Sequence, residues 1–476
     1  MTTVDTQAKS IRHKNIILLI IGLAQLMDVL DTTIVNVAIP TISKNLHIIG
    51  VNNLQWLITT YGLTYAGFLF LSGRLADIIG HRKIFMIGVF LFGASSLMAG
   101  LSSSSSLLIV WRGIEGLGAA GIAAASLSSI ISVYSEGKER NRAMTIWGTL
   151  VGGGVALGLV LGGVITQYVG WRWIFFVNVP ISAVVLLATP YFVPKLPGQG
   201  TFSLKKFDIL GAILLTTGLI TLVYGLTKAP SYGWGSSRVV EMLATAVILL
   251  AAFIFNEIRA KEPLLNLKLF AKGNIAVASV ISILVTGSNG AMLFFLAIYN
   301  QQVLGYSPAI AGLTLLPVIF IAFAALQIVR KLLDKFGFKP VMIVQLLILA
   351  VGLFSLIRLP INGHYLTDEL PSLIVIAVGL TASIGLMVAA TNGVKEKDSG
   401  AISGILNTAQ QIGGPLILGI LSTIAATYTV SSIIVNNKLN ALAHGAHAAF
   451  LTSAMLVLLA AFLCAVFVRQ TTTTDS

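Results

Sequence analysis

Four charged residues stand in stretches otherwise too apolar to hold them. Asp28 and Asp31 lie in one long hydrophobic run, and Arg112 and Glu115 lie in another. Each pair is spaced i, i+3, so on a helix its two members share a face and can interact. A charge at the centre of a bilayer costs about 2.5–3.5 kcal/mol even on the lenient insertion scale, so four of them require a reason. Desolvation favours the neutral form of a carboxyl and a nearby guanidinium favours the ionised form. An acid held between those two effects can load and release a proton near neutral pH. The plainer reading is a buried bridge from Arg112 to Asp31 or Glu115 that only ties two helices together. No histidine falls in any apolar run, so carboxyls are the candidate proton carriers. None of them is expected in the second half of the chain, whose runs carry neutral polar residues only.

The elements that position these groups follow from composition. The chain has 476 residues, 56% hydrophobic and 10% charged, with mean hydropathy +0.93, whereas a soluble domain carries roughly 25% charged residues. A hydrocarbon core about 30 Å thick takes about 20 helical residues to cross, and fourteen runs of that kind are present, beginning with Asn15–Val35. Lipid offers no hydrogen bonds to an open backbone, so the runs are expected to be helices. The first is preceded by Lys9, Arg12 and Lys14, as in a signal peptide. No small-residue cleavage site follows, and it reads as an uncleaved span that stops near Pro40. Of the 30 lysines and arginines, only Lys44, Arg172, Lys228, Arg238, Arg358 and Lys438 fall outside when both termini are placed in the cytoplasm, and only Arg112 falls inside a run. That asymmetry is the positive-inside pattern. The net charge of +13 is then expected to face anionic lipid rather than nucleic acid.

An internal repeat is visible. The loop Gly73-Arg74-Leu-Ala-Asp77-Ile-Ile-Gly80-His-Arg82-Lys83 follows the second run, and Arg330-Lys-Leu-Leu-Asp334-Lys-Phe-Gly337-Phe-Lys339 follows the tenth. Duplicated halves enclosing a binding site are a common secondary-transporter architecture. The repeat divides the chain into a six-helix bundle over 1–200, two inserted helices over 201–265 and a second six-helix bundle over 266–476. Asp77 and Asp334 are expected to cap the helices that follow them.

These motifs resemble the fourteen-helix drug:proton antiporters of the major facilitator superfamily over almost the whole chain. The resemblance rests on Leu30-Asp31-Thr-Thr-Ile-Val-Asn36-Val-Ala-Ile-Pro40, on the Gly73–Lys83 loop, on Arg112-Gly-Ile-Glu115-Gly116, on Trp171-Arg-Trp…Asn178-Val-Pro180 and on Ser403-Gly404…Asn407…Gln410-Gln-Ile-Gly413-Gly414. Glu115 stands where the family usually has glutamine, and Leu159 follows Gly158 where the antiporter signature has proline. The fold implied is all-α, two six-helix bundles with two helices between them. The function implied is export of lipophilic small molecules across the inner membrane by alternating access, driven by the proton gradient with no cofactor, by a monomer. Export of an endogenous metabolite or lipid, or proton-coupled uptake, stays open beside it.

In that frame Asp31, Asp28, Arg112 and Glu115 are the candidate proton-coupling residues. Gly73, Arg74, Asp77, Gly80, Arg82 and Lys83 would form a cytoplasmic gating latch. Gly154, Gly158, Gly162 and Gly163 would let helix backbones approach. Asn36, Asn289, Asn300, Asn407 and Gln410 are candidates for the substrate cavity. With no carboxylate in the second half, neutral or monocationic substrates are expected over dications. Gly116-Leu-Gly118-Ala-Ala-Gly121 matches a dinucleotide-binding pattern but lies in an apolar helix rather than after a strand. His444 and His447, read as an outer loop, lack the further ligands of a metal site. No soluble domain or nucleophile constellation suggests an enzyme.

Overall fold

A chain that crosses lipid must satisfy its backbone N–H and C=O groups within each segment, and the described residues form helices and no strand. The computed structural model describes residues 3–48, 50–134, 137–194, 208–260, 263, 267–271, 273–391, 399–433 and 438–470. The first bundle consists of α1 (Thr3–Asn45), α2 (Trp56–Ile79), α3 (His81–Gly100), α4 (Ser105–Val133), α5 (Lys138–Tyr168) and α6 (Trp173–Phe192). Then come α7 (Ile209–Tyr232) and α8 (Ser237–Arg259). The second bundle consists of α9 (Ile275–Val303), α10 (Pro308–Phe336), α11 (Phe338–Arg358), α12 (Tyr365–Thr391), α13 (Ser399–Ile433) and α14 (Lys438–Phe467). Thirteen of these are apolar enough to cross a membrane by length and composition alone. The fourteenth, α2, carries Thr59, Thr60, Tyr61, Thr64 and Tyr65, which lower its hydropathy, and it lies against α3, α4, α7 and α13.

Three expectations about boundaries are corrected. First, α1 does not stop near Pro40 but continues to Asn45. Proline disrupts the preceding turn of a helix, and within a bundle neighbouring groups take up the backbone it frees. In the turn before Pro40, Gln301 Nε2 of α9 donates to the carbonyl of Val37, 2.8 Å away. Second, α14 begins at Lys438, so His444 and His447 are helical. His447 lies within a span, its Nε2 at 3.0 Å from the Leu359 carbonyl. Third, α12 opens with a π-helical turn, Tyr365–Glu369, which draws Glu369 into the protein at 1% exposure. The second half of the chain therefore does hold a buried carboxyl.

The two repeated loops are one-residue junctions. Gly80, at φ 107°, joins α2 to α3, and Gly337, at φ 79°, joins α10 to α11. Only glycine adopts such angles freely. These glycines are themselves the cap residues and neither helix has a side-chain cap. Asp77 and Asp334 lie inside the preceding helices instead, so the expected capping is overturned, because a single-residue junction leaves no turn for an aspartate to occupy. The side chain of Asp77 lies outside the described residues.

Close backbone contact substitutes for hydrophobic drive, which is absent between helices in lipid. A Cβ at Gly118 would lie 2.6 Å from the Phe92 nitrogen, and one at Gly88 2.8 Å from the Gly118 carbonyl oxygen, so α3 and α4 touch through glycine. The repeat places Gly352 and Gly379 between α11 and α12 in the same way, a Cβ at Gly379 falling 2.5 Å from the Leu349 nitrogen. Helix α5 has two such faces. Gly154, Gly158 and Gly162 lie against Leu26, Thr33 and Ile34 of α1, with Cβ positions 3.0 Å from Leu26 Cδ1, 2.9 Å from Thr33 Cβ and 3.0 Å from Ile34 Cα. Gly163 points the other way, to the Pro308 carbonyl and to Ala309 Cα at 2.7 Å, while Gly312 of α10 meets the Leu159 carbonyl. Those two glycines join the bundles at the end away from the termini, where Ala309 N also donates to Gln167 Oε1 at 3.2 Å. Helix α7 pairs with α8 and lies against both bundles. Gln55 Nε2 of the linker to α2 donates to Thr227 Oγ1 at 2.8 Å, and Thr423 Oγ1 of α13 donates to the Leu226 carbonyl at 3.0 Å.

Overpacking costs about 1–3 kcal/mol, and 1.4 kcal/mol is about tenfold in an equilibrium. Gly163→Leu, pressed against backbone of the other bundle, is therefore expected to separate the bundles at this end. In purified protein, maleimide labelling of Ala309→Cys should rise about tenfold with it. Gly154→Leu, which presses on α1 within the same bundle, should leave that labelling unchanged. Cys464 is buried and gives little background.

Candidate functional site

Helix α4 carries glycine at 113 and 116, and both face α2. A Cβ at Gly113 would lie 3.0 Å from Thr60 Cγ2, and one at Gly116 would strike the Tyr61 carbonyl. That close approach places the first turns of α2 beside Arg112. Its Nε donates to the Leu57 carbonyl at 3.0 Å, and its guanidinium carbon lies 4.4 Å from the Tyr61 ring centre and 5.9 Å from that of Phe175. Arg112 Nη1 donates to Asp31 Oδ2 of α1 and, at 2.7 Å, to Glu115 Oε2 one turn along α4. Arg112 is 1% exposed, and Asp31 and Glu115 are fully buried.

A second layer extends the cluster. Asn178 of α6 donates to Asp31 Oδ1 at 3.1 Å and to Ser96 Oγ of α3 at 3.0 Å, and Ser96 Oγ donates to the Phe175 carbonyl at 3.0 Å. Asp28 receives the Tyr61 hydroxyl on one oxygen and Gln25 Nε2, at 2.7 Å, on the other. Among the described residues Asp28 is in no ion pair. Glu115 Oε1 and Asn178 Oδ1 are buried without a hydrogen-bond partner. One sealed site thus gathers three carboxyls and one guanidinium. Fully ionised, it carries two uncompensated negative charges, and each costs several kcal/mol to desolvate. The chemistry that relieves this is proton uptake.

All four candidate proton-coupling residues, Asp28, Asp31, Arg112 and Glu115, are therefore brought together. The loop residues are elsewhere, at the far end of α2. Gly73 and Gly80 lie in and after its last turns, Arg82 Nη1 donates to the Val193 carbonyl at the end of α6 at 3.1 Å, and Arg74 and Lys83 are exposed. The candidate cavity residues do not form one group. Asn36 and Asn289 each keep a buried, unpartnered Oδ1, on α1 and α9, which pack together across the two bundles. On α13, Asn407 is exposed and Gln410 half-buried. Asn300 belongs to a separate cluster with Glu369 and Thr314.

Other residues carry no sequence signal strong enough to single them out. Tyr61 is one of several hydroxyl residues along α2. Gln25 is legible only through its i, i+3 spacing to Asp28. Glu369 reads as a loop acid beside Asp368, and Glu257, 3% exposed near the end of α8, reads as a boundary residue. Between the bundles, at the end away from the termini, lies a cleft of about 1090 Å³ lined by Pro40, Lys44 and His47 on one side and by Gln301, Tyr306 and Leu442 on the other.

Comparison with known proteins agrees with this architecture. The chain is 35% identical to the puromycin resistance protein pur8 of Streptomyces alboniger, over 87% of this chain and 82% of that one. It is 34% identical to the cephamycin export protein CmcT of Amycolatopsis lactamdurans, over 86% and 84%. It is 31% identical to the multidrug resistance protein Stp of Mycobacterium tuberculosis, over 89% and 78%. Among solved structures, an auto-inhibited POT family peptide transporter superposes with TM-score 0.70 at 15% identity, covering 97% of this chain and 98% of that one. A bacterial Spinster homologue, inward-facing and occupied, superposes with TM-score 0.68 at 16% identity, covering 95% and 96%. Those two likenesses speak for the fold alone. Residues 21–418 match the sequence profile of the Major Facilitator Superfamily, and the chain belongs to that family of multi-pass membrane transporters.

Proposed function

We propose that the protein exports lipophilic small molecules of the antibiotic class across the cytoplasmic membrane in exchange for protons. The carrying observation is the sealed cluster of three carboxyls around a single guanidinium. Its charge balance changes by protonation, and it touches α1, α2, α3, α4 and α6 at once. The resistance and export proteins to which the chain is similar support the substrate class. In this reading a proton on Asp31 weakens its hold on Arg112, which loosens α1 from α4 and favours the opposite opening of the bundles. Asp28, one turn away, holds the second proton.

The bundles 1–200 and 266–476 rock about the α5–α10 and α2–α13 contacts, and the helices of 201–265 ride on one side. Asn36, Asn289, Asn407 and Gln410 supply neutral polar contacts to substrate, as in ligand sites that are otherwise apolar. The Gly73–Lys83 junction gates the cytoplasmic end, where both termini lie. The transporter works as a monomer with no cofactor. The expected preference for monocations over dications loses its premise, a second bundle without carboxyls, at the buried Glu369.

Two outcomes are expected in proteoliposomes with an imposed pH gradient, using puromycin and an unrelated lipophilic cation as probes. Asp31→Asn, which keeps the side chain's shape, should abolish gradient-driven export while leaving the protein folded; wild-type rates in this variant would refute the coupling role. Arg112→Leu should lose about 3–5 kcal/mol of stability, the cost of breaking a buried ion pair. Adding Asp31→Asn should restore part of that stability in a thermal melt without restoring gradient-driven export. Recovery of export in the double variant would mean that the pair is structural only.

A further inference from the structure

Two π-helical turns, Tyr299–Val303 in α9 and Tyr365–Glu369 opening α12, lie at the end of the second bundle away from the termini. Such turns are rare and concentrate at functional sites. They meet where Asn300 Nδ2 donates to Glu369 Oε1 at 2.9 Å, and the same nitrogen lies 3.2 Å from Thr314 Oγ1. Asn300 and Glu369 are each 1% exposed. Glu369 immediately precedes the α-helical part of α12 but makes no capping bond to it, so its carboxyl is turned away from the helix and toward Asn300. Glu369 Oε2 and Asn300 Oδ1 are both buried and both lack a hydrogen-bond partner.

The neighbouring groups do not supply what is missing. The titratable or charged side chains facing Glu369 are Tyr299 and Tyr306 from the α9 side and Tyr365 and Asp368 from its own turn. The Tyr299 hydroxyl donates to the Leu359 carbonyl at 2.9 Å, and that of Tyr365 donates to the Thr314 carbonyl at 2.9 Å. Asp368 Oδ2 accepts from the His364 amide at 2.7 Å. From α14, the His447 ring lies beside that of Tyr299, tilted with centres 6.0 Å apart, and its Nε2 lies on the Leu359 carbonyl. Among the described residues Glu369 is in no ion pair. Two orphaned acceptors on directly bonded partners, with the Tyr299 and Tyr365 hydroxyls engaged elsewhere, lack one hydrogen. A proton on Oε2 turns an acceptor into a donor and removes the uncompensated charge in one step. A metal cation would need several more oxygen ligands than this site presents.

We propose that Glu369 is a proton-binding site of the second bundle, separate from the Asp28–Asp31–Glu115 cluster and reached from the cleft between the bundles past Tyr306. Tyr306 lines that cleft and is tied to the site by its amide, which donates to the Asn300 carbonyl at 2.8 Å. The proton comes from water in the cleft and returns to it, so no other reactant is needed. The site stands whether or not Asp31 couples export.

The test is an infrared pH titration of the purified full chain, wild type against Glu369→Gln, run in choline and again in sodium buffer without substrate. Glutamine copies the protonated acid in shape and hydrogen bonding, so the variant should fold and melt at or above the wild-type temperature. One protonated-carboxyl band present in the wild type should be missing from the variant, and sodium should not move its titration. Identical carboxyl bands in the two proteins would overturn the proposal, as would a variant that fails to fold. A titration displaced by sodium would overturn it in favour of a cation site.

Discussion

An arginine placed among apolar helices has five donors to satisfy and no means of losing its charge. Arg112 meets that demand with a carbonyl from α2, a carboxylate from α1 and a carboxylate from its own helix. The first bundle is organised around those three acceptors. The glycines at 113 and 116 exist in a position that brings α2 close enough for the Leu57 carbonyl to be reached. The Trp171–Asn178 turn delivers Phe175 to one side of the guanidinium and Asn178 to the far oxygen of Asp31. Once Arg112 is anchored, Asp31 and Glu115 can be buried beside it, and Asp28 is the acid left with only neutral partners.

Buried ion pairs are weak evidence for stability, since desolvation offsets much of the Coulombic gain. A triad with two acids to one base, next to a third acid, is a poorer stabiliser still. An apolar replacement of similar volume would hold the helices together at lower cost. On the proposed coupling role the arrangement is one whose charge state changes, and a purely structural bridge would have no use for the third acid.

Helix packing divides into contacts that must persist and contacts that must break. Within each bundle, glycine lets backbones meet at α3–α4, at α11–α12 and along the α1 face of α5. Across the bundles the contacts include Gly163 and Gly312, Gly152 against Phe323, the Gln301–Val37 and Ala309–Gln167 hydrogen bonds, and Gly62 against Pro415. The α5–α10 contact uses the carbonyl of Leu159, a group that leucine and proline both possess, so the departure from the antiporter signature at that position leaves the contact intact. Helix α7 bonds to both bundles through threonines, Thr227 and Thr423, which are neutral and easily re-paired as the bundles move.

The sequence by itself determined the medium, the number of spans and the four residues of the first charged cluster. Apolar run length and charge cost in lipid are local properties, and i, i+3 spacing fixes a helix face without knowledge of neighbours. The repeat was legible because both junctions need glycine at a positive φ, at Gly80 and Gly337. What lies beside a given face is not a local property. Only the tertiary structure decided that Arg112 takes Asp31 and Glu115 together, that Tyr61 rather than another hydroxyl of α2 serves Asp28, and that Asn300 belongs with Glu369 and not with Asn407. It also decided that α1 runs on through Pro40 and that Glu369 is inside, since both depend on groups from other elements, Gln301 beside Val37 and Asn300 beside Glu369. Those partners are chosen by packing, and packing leaves no trace in the spacing of a single segment.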